Sequence, residues 1–493
     1  MRMTLMLLTF LLPLAGGAVM PLLKLDDRRR RSIYVQVVTT ATSVLALCLL
    51  IVRPAESLTL LHMTDSLALT LRLDGAGSIF MGLIAFLWPL ATLYAFEYMA
   101  HEEHETPFFT FYTMTYGVTL LITMAGNLFT LYVFFECLTL ITLPLVTHKM
   151  DAKSALAGRR YLVYSISGAA LVFIGLVFIM TFGQGDTAFR FGGVLAQEAI
   201  AGRENLLLLV FVLSFIGFAT KAAMFPMHGW LPLASVAPTP VTALLHAVAV
   251  VNTGAFACIR LIYYSFGTDL LAGTWAQAIA VLLPALTIVY GSVMAVREQH
   301  FKRRLAYSTV SNLSYILLGA ALMTPAGLTG SLSHLVFHGL MKIVLFYCAG
   351  AVLVRTGKEY VQDLRGSFRV MPFTMGVYTL SALALVGVPP LAGFISKWNL
   401  LTAAVESGFT PGYLGAAALI VSAILTAVYL LYVVVMAAFS PLSDGGMAAF
   451  RENRDPSWLM KAPLVVLCAA IVLLGLCSTP LVHYFQAVAG GLL

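Results

Sequence analysis

Residues 206–237 read LLLLVFVLSFIGFATKAAMFPMHGWLPLASVA. The first half is apolar enough for a membrane helix, yet it carries Lys221 and then meets Pro226, Gly229 and Pro232. Proline removes a backbone donor and ends a helix. At membrane depth, broken backbone survives only where protein buries it or where it lines a cavity. The stretch therefore reads as an interrupted membrane helix with a lysine beside the interruption. Residues 372–405 repeat the form. Here GVPPLAG, with Pro389 and Pro390, breaks the run, and Lys397 follows in LAGFISKWNLL. Two interrupted helices in corresponding positions of two halves are the pattern of inverted-repeat transporters, and they point at the ion path.

Outward from these two, apolar stretches fall at roughly 4–23, 33–52, 77–99, 108–125, 128–147, 161–182, 241–263, 275–296, 304–323, 328–354, 412–438 and 463–487. With the interrupted pair they predict an all-α integral membrane protein of about 14 transmembrane helices. The composition agrees. The chain has 493 residues, of which 60% are hydrophobic and 10% charged, and its mean hydropathy is +0.92. A soluble domain carries about 25% charge. The N-terminal run MRMTLMLLTFLLPLAGGAVMPLLKL is too long for the apolar region of a signal peptide and reads as the first helix.

The net charge of +7 would raise nucleic-acid binding in a soluble protein. Here the basic residues sit in short loops, which is a topology signal and excludes that reading. Loop 1–2 holds Lys24 and Arg28 to Arg31, and loop 5–6 holds Lys149, Lys153, Arg159 and Arg160. Loop 9–10 holds Arg297, Lys302, Arg303 and Arg304, and loop 11–12 holds Arg355, Lys358, Arg365 and Arg369. Loop 13–14 holds Arg451, Arg454 and Lys461. The opposite side holds Arg2, Arg53, Arg72, Arg190 and Arg203, with Arg260 near a helix end and read as interfacial. The positive-inside rule then predicts cytoplasmic odd loops and both termini outside, in the cell inner (plasma) membrane. The six cysteines form no CxxC pair, and no Walker, haem-attachment or dinucleotide fingerprint appears. The expectation is a chain with no metal and no cofactor of its own.

Three lysines remain, and all fall inside predicted spans. A charge at the bilayer centre costs roughly 3 kcal/mol on insertion scales, so each is a functional hypothesis with a partner to be named. Glu136, in LYVFFECLTLIT, is the natural partner of Lys221. Moving or neutralising the carboxylate would switch the lysine between holding and releasing a proton. The plainer reading is a static ion pair locking two helices. His334, His338 and Lys342, in SLSHLVFHGLMKIVLF, are spaced four apart, which stacks them on one stripe about 6 Å per step. Histidine titrates near neutrality, so the column suits a proton relay. Against that stands a set of core polar residues bonded to carbonyls. His246, in PTPVTALLHAVAVV, gains weight only as a bridge between Lys221 and this column. Lys397 suits a terminal exchange site, and the competing reading is snorkelling to the interface. HEEHE at 101–105 has the wrong spacing for a metal site and reads as a solvated loop, while Asp74 reads as a helix cap.

Four stretches together resemble a known family. They are the span from Asp74-Gly75 to Glu97-Tyr98-Met99, TKAAMFPMHGWLPLASVAPTPVTALLHA from Thr220, HLVFHGLMKIVLFYCAGAV from His334, and VGVPPLAGFISKW from Val386. They are similar to the third, seventh to eighth, eleventh and twelfth helices of the proton-translocating, antiporter-like subunits of respiratory complex I, membrane-bound hydrogenases and Mrp-type antiporters. The resemblance covers nearly the whole chain. It implies two five-helix inverted repeats, 108–265 (helices 4–8) and 266–440 (helices 9–13), with peripheral helices in 1–107 and helix 14 in 441–493. It matches Glu136, Lys221, His246, His338, Lys342 and Lys397 to the family's proton row. It also implies partner membrane subunits, homologous antiporter-like ones among them, and a peripheral iron–sulfur redox module in the redox-driven members. Two departures stand out. VVNTGAF offers Asn252 and Thr253 where several members carry a helix 8 lysine, and the long lateral helix of the largest members is absent before Leu493. The expected function is a proton-translocating subunit of a redox-driven complex. The alternatives are a subunit of an Mrp-type sodium/proton antiporter, or a structural scaffold with an inactive channel.

Overall fold

The computed structural model describes residues 2–23, 25, 27–54, 56–64, 67–440 and 454–492. In lipid, each apolar stretch must satisfy its own backbone, so nearly all of them wind into helix. The chain opens with α1 (Arg2–Val19), a 3-10 turn (Met20–Leu23) and α2 (Arg28–Val52). A β-hairpin follows, β1 (Leu58–His62) with β2 (Ala68–Leu71), antiparallel and pairing Leu58 with Leu71. Next come α3 (Gly75–Met99), α4 (Glu105–Thr123), α5 (Leu128–Val146) and α6 (Ala152–Phe182). A turn, α7 (Gln197–Ile200), precedes α8 (Glu204–Lys221), α9 (Trp230–Ala234), α10 (Thr239–Ala247) and α11 (Val251–Arg260). A π-helical turn (Leu261–Phe266) and α12 (Thr268–Leu271) lead to α13 (Trp275–Arg297), α14 (Phe301–Ala321) and α15 (Pro325–Thr356). The chain ends with α16 (Ser367–Val370), α17 (Pro372–Val386), α18 (Ala392–Glu406), α19 (Thr410–Phe439), α20 (Trp458–Leu476) and α21 (Thr479–Ala489).

Eleven helices among the described residues are long and apolar enough to cross a membrane. The chain is a multi-pass membrane protein. Two of the eleven have fully buried apolar windows: Thr239–Phe266 and Pro325–Thr356. The second, α15, is the hub. It packs against α3, α10, α14, α17, α18, α20 and α21. Outer helices such as α6 and α19 turn Val163, Ile166, Phe173, Ile420, Ile424 and Val435 outward, as lipid-facing surface requires. Caps are polar. Asp151 and Ser154 form a reciprocal capping box at the start of α6. The Ser154 backbone N–H, then its hydroxyl, holds the Asp151 carboxyl below the usual range.

Several features depart from the sequence expectation. The segment before α3, read as a loop, carries the hairpin, and Asn127 ties it down by donating to the Ala68 carbonyl (2.9 Å). The stretch expected as helix 14 is two helices, α20 and α21. Lys302 and Arg304, counted as loop charges, belong to α14 and are 6% and 2% exposed. Lys24 and Arg451, from the same set of basic loops, lie outside the described residues.

Arg260, read as interfacial, is fully buried inside the protein, 0% exposed. Its guanidinium grips both carboxylate oxygens of Asp74, with Nη2 2.6 Å from Oδ1 and Nη1 on Oδ2. Rings of Phe189, Phe256 and Tyr264 surround it at 4.9, 4.9 and 4.6 Å. Asp74 does cap α3, accepting from Gly77 N (2.9 Å), so one carboxylate joins the start of α3 to the end of α11. Removing one partner of such a pair leaves a buried charge alone, at about 3–5 kcal/mol. Arg260→Met is expected to lower the melting temperature of the purified protein sharply. The double variant Asp74→Asn, Arg260→Met is expected to regain most of the loss. Thermal unfolding of the three proteins in detergent checks this, and an unshifted Arg260→Met would contradict it.

Candidate functional site

α8 ends at Lys221, and the next residues cannot continue the helix because Pro226 and Pro232 follow. Side chains nearby take up the freed backbone. The Trp230 indole donates to the Thr220 carbonyl (2.9 Å), and Phe225 N donates to the Thr287 hydroxyl (3.1 Å). Gly254 of α11 lets this break sit close. A β-carbon there would lie 2.5 Å from Ala222 N. The ammonium of Lys221, 1% exposed, thus points at α5. It lies 3.4 Å from Glu136 Oε1, donates to the Phe135 carbonyl, and sits 3.4 Å from the centre of the Phe135 ring. Glu136 is a quarter exposed, so this pair is closed on the lysine side only.

The second break lies between α17 and α18. Gly387 ends α17 at φ +98°, a left-handed cap that only glycine adopts easily, and its N–H bonds back to Leu383 and Ala384. The carbonyl of Val386 is left for Lys397, whose Nζ donates to it at 3.2 Å. Lys397 also lies 5.3 Å from the centre of the Tyr315 ring.

A third break has no counterpart in the sequence reading. The eighth span stops at Ala247 and resumes at Val251. Neither proline nor glycine marks it. Leu244 O receives both Val248 N and Ala249 N (2.9 and 2.8 Å), and Asn252 reaches back to cap the Ala247 carbonyl (2.7 Å) while touching Leu335 O of α15 (3.4 Å). His246 sits just before this break, its ring 4.6 Å from that of Phe346 on α15.

On α15 the three predicted residues do share one stripe, all 0% exposed. His334 Nδ1 is 2.9 Å from the Ser396 hydroxyl, beside Lys397, and its ring stacks on Tyr315 at 5.1 Å. The His334 and His338 rings are 5.8 Å apart. Lys342 Nζ donates to the Leu305 carbonyl of α14 (3.0 Å). Tyr315 and Ser396 therefore join the column physically to Lys397. Among the described residues, no such contact joins Lys221 to His246 or His246 to His338. Both ring nitrogens of His246 and His338, and Nε2 of His334, have no partner among the described residues. Buried polar atoms are rarely left so, and ordered water is the usual partner.

Sequence reasoning missed Lys302. Its Nζ donates to the Ala237 carbonyl (3.1 Å), between α9 and α10 and close to the start of the helix that carries His246. Charge and loop usually coincide, which is why the sequence places this lysine in a loop. The one signal to the contrary is that apolar sequence resumes at Phe301. HEEHE serves as an anchor. Glu105 takes Arg28 (2.6 Å) and Arg31, and Glu102 takes Lys149 (3.6 Å). Beside it, burial lowers the tendency of His148 to protonate, and its Nε2 meets the Glu103 carbonyl at 2.9 Å.

Comparison with known proteins gives a consistent picture. The family described as NADH:quinone oxidoreductase/Mrp antiporter, TM, matches residues 125–426. NADH-quinone oxidoreductase subunit N of Desulforudis audaxviator is 34% identical over 411 residues, covering 80% of this chain and 79% of that protein. A probable K(+)/H(+) antiporter protein of Rhizobium meliloti, the A/B component of its system, is 34% identical over 339 residues, covering 69% of this chain but 33% of the relative. NADH-quinone oxidoreductase subunit L of Mycobacterium tuberculosis is 32% identical over 430 residues, 85% of this chain and 65% of the relative. The chain thus spans only part of the last two. In fold it matches a chain of the membrane-bound sulfane sulfur reductase, an archaeal respiratory membrane complex, with TM-score 0.85 at 21% identity, covering 99% of this chain and 97% of that one. It matches a chain of the Mrp complex of Dietzia sp. with TM-score 0.84 at 22% identity, covering 98% of this chain and 52% of that one. With the family match over most of its length and a one-third-identical relative aligned over four fifths of both proteins, the chain belongs to the NADH:quinone oxidoreductase/Mrp antiporter membrane-subunit family.

Proposed function

We propose that this chain is a proton-translocating subunit of a multisubunit, redox-driven membrane complex. Protons enter from the cytoplasm near Lys221 and Glu136, cross through His246, His338 and Lys342, with His334 in the same row, and leave near Lys397. The observation that carries this reading is the column on α15. Three titratable side chains stand in register, fully buried, with five ring nitrogens of the row lacking partners among the described residues and with Lys397 joined to one end through Ser396 and Tyr315. A set of core polar residues would have satisfied those nitrogens. The breaks after Lys221 and before Lys397 support the two repeats, 108–265 and 266–440, within a 14-helix chain. The basic loops support an inner (plasma) membrane orientation with both termini outside.

The partners in this reading are other membrane subunits, homologous antiporter-like ones included, and a peripheral iron–sulfur module that supplies the driving reaction. A second reading has its own support. Antiporter proteins stand among the relatives at equal identity, so the alternative is an Mrp-type role that exchanges cations for protons without electron transfer. Asn252, spent on two carbonyls where the family often has a lysine, is what favours the inactive scaffold. Isolation of the native complex in mild detergent, with mass spectrometry of its subunits, separates the first two. Iron–sulfur partners support the redox-driven pump, and small hydrophobic partners alone support the antiporter.

Two outcomes follow for the row itself. Lys221→Ala and Glu136→Ala are each expected to abolish coupled transport in vesicles while the complex still assembles. Pumping at the wild-type rate in both would refute the relay. Ser396→Ala removes the partner of His334 Nδ1 and is expected to slow transport on the order of tenfold, a modest share of what a positioned proton-transfer group contributes. Transport in Lys342→Ala, Lys397→Ala unchanged from wild type would instead establish the scaffold.

A further inference from the structure

On the face of α15 turned away from its histidines, a groove of about 420 Å³ opens between α3, α15, α20 and α21. Its walls are apolar, with Gly82, Leu83, Phe86, Leu340, Leu473 and Phe485 prominent. Phe86 and Leu473 are 40% and 60% exposed, so the groove opens outward, where lipid lies. On α3 the lining is Ser78, Ile79, Gly82, Leu83 and Phe86, a band about 12 Å long. One end carries charge. Tyr484 lines the groove, and the guanidinium of Arg53 lies 5.1 Å from its ring centre. Arg53 is exposed, at the end of α2, and no carboxylate among the described residues pairs with it.

We propose that this groove holds one acyl chain of an anionic phospholipid, with the headgroup phosphate on Arg53. An extended acyl chain is thinner than a helix, which is about 10–12 Å across, and it matches walls whose polar side chains are Ser78 and Tyr484 alone. Charge argues for the headgroup. Arginine matches phosphate oxygens with paired donors, and arginine with tyrosine at a membrane boundary is the usual interfacial pairing. The chain gains no hydrophobic energy on leaving the bilayer, because lipid tails are as apolar as the groove. Selectivity between lipids therefore rests on Arg53. The bound chain also braces α15 from behind, through Val336 and Leu340.

Two variants test this in the intact, purified complex. Gly82 lines the groove, and a β-carbon there would meet only Leu50 Cδ1, at 3.6 Å, so there is room to add a side chain, and Gly82→Phe is the variant meant to fill the groove. Arg53→Gln removes the charge alone. The complexes are passed through nanodiscs of phosphatidylglycerol and phosphatidylcholine mixed equally, and retained lipid is counted by native mass spectrometry. The wild type is expected to keep one more phosphatidylglycerol per chain than Gly82→Phe. Arg53→Gln is expected to keep lipid with no preference for phosphatidylglycerol, and it reports even if Gly82→Phe fails to assemble. Unchanged preference in Arg53→Gln overturns the proposal. So does equal retention by wild type and an assembled Gly82→Phe, or cross-linking of a photoreactive residue at Phe86 to another protein of the complex instead of lipid.

Discussion

At membrane depth a backbone carbonyl without a partner costs several kcal/mol, and no water of the hydrocarbon region relieves it. This chain stops its helices inside the apolar region after Lys221, after Ala247 and after Val386. Each stop leaves carbonyls to satisfy, and each time a side chain of the site does so. Trp230 takes Thr220 O, Asn252 takes Ala247 O, and Lys397 takes Val386 O. These side chains therefore help to satisfy the broken backbone as well as lining the candidate site. Site and fold are one constraint here.

Buried charge is handled in two distinct ways. Arg260 and Asp74 are matched completely: two paired donors, a helix cap and three aromatic rings leave the pair fixed. Lys221, Lys342 and Lys397 are held instead by single carbonyls, with Glu136 a partly open partner for the first. A carbonyl accepts from an ammonium and, more weakly, from a neutral amine. The lysines can therefore change charge without losing their hydrogen bond, which Arg260 cannot. The contrast separates a fully matched ion pair from lysines held mainly by single carbonyls, among residues that look equally improbable in a membrane sequence.

The fold was legible where the physics is one-dimensional. Long apolar runs and the prolines at 226, 389 and 390 placed helices and two breaks, and four-residue spacing placed His334, His338 and Lys342 on one stripe. The third break was not legible, because Val248 to Val250 carry no breaking residue and the carbonyl is capped by Asn252 through tertiary contact. Arg260, Lys302 and Arg304 were hidden for a related reason. Charge near the end of an apolar run reads as interface, and only the partners Asp74, Ala237 O and Tyr429 O, far away in sequence, show that these side chains turn inward. The hairpin at 58–71 was hidden likewise, since its outer partners lie on the α4–α5 turn.

The spacing of the column sets how strongly its members feel one another. The His334 and His338 rings are 5.8 Å apart. At that distance, with an effective dielectric of about 20, two unit charges repel by about 3 kcal/mol. Charging both neighbours at once is therefore costly, and a relay along this column would carry one charge at a time. The same reasoning bounds the reach of the effect. It falls with distance and with solvent, so it needs the fully buried surroundings that α15 supplies and would fade at an exposed site. Among the described residues no contact bridges Lys221 to His246 or His246 to His338, so a relay along this row would need water at both steps.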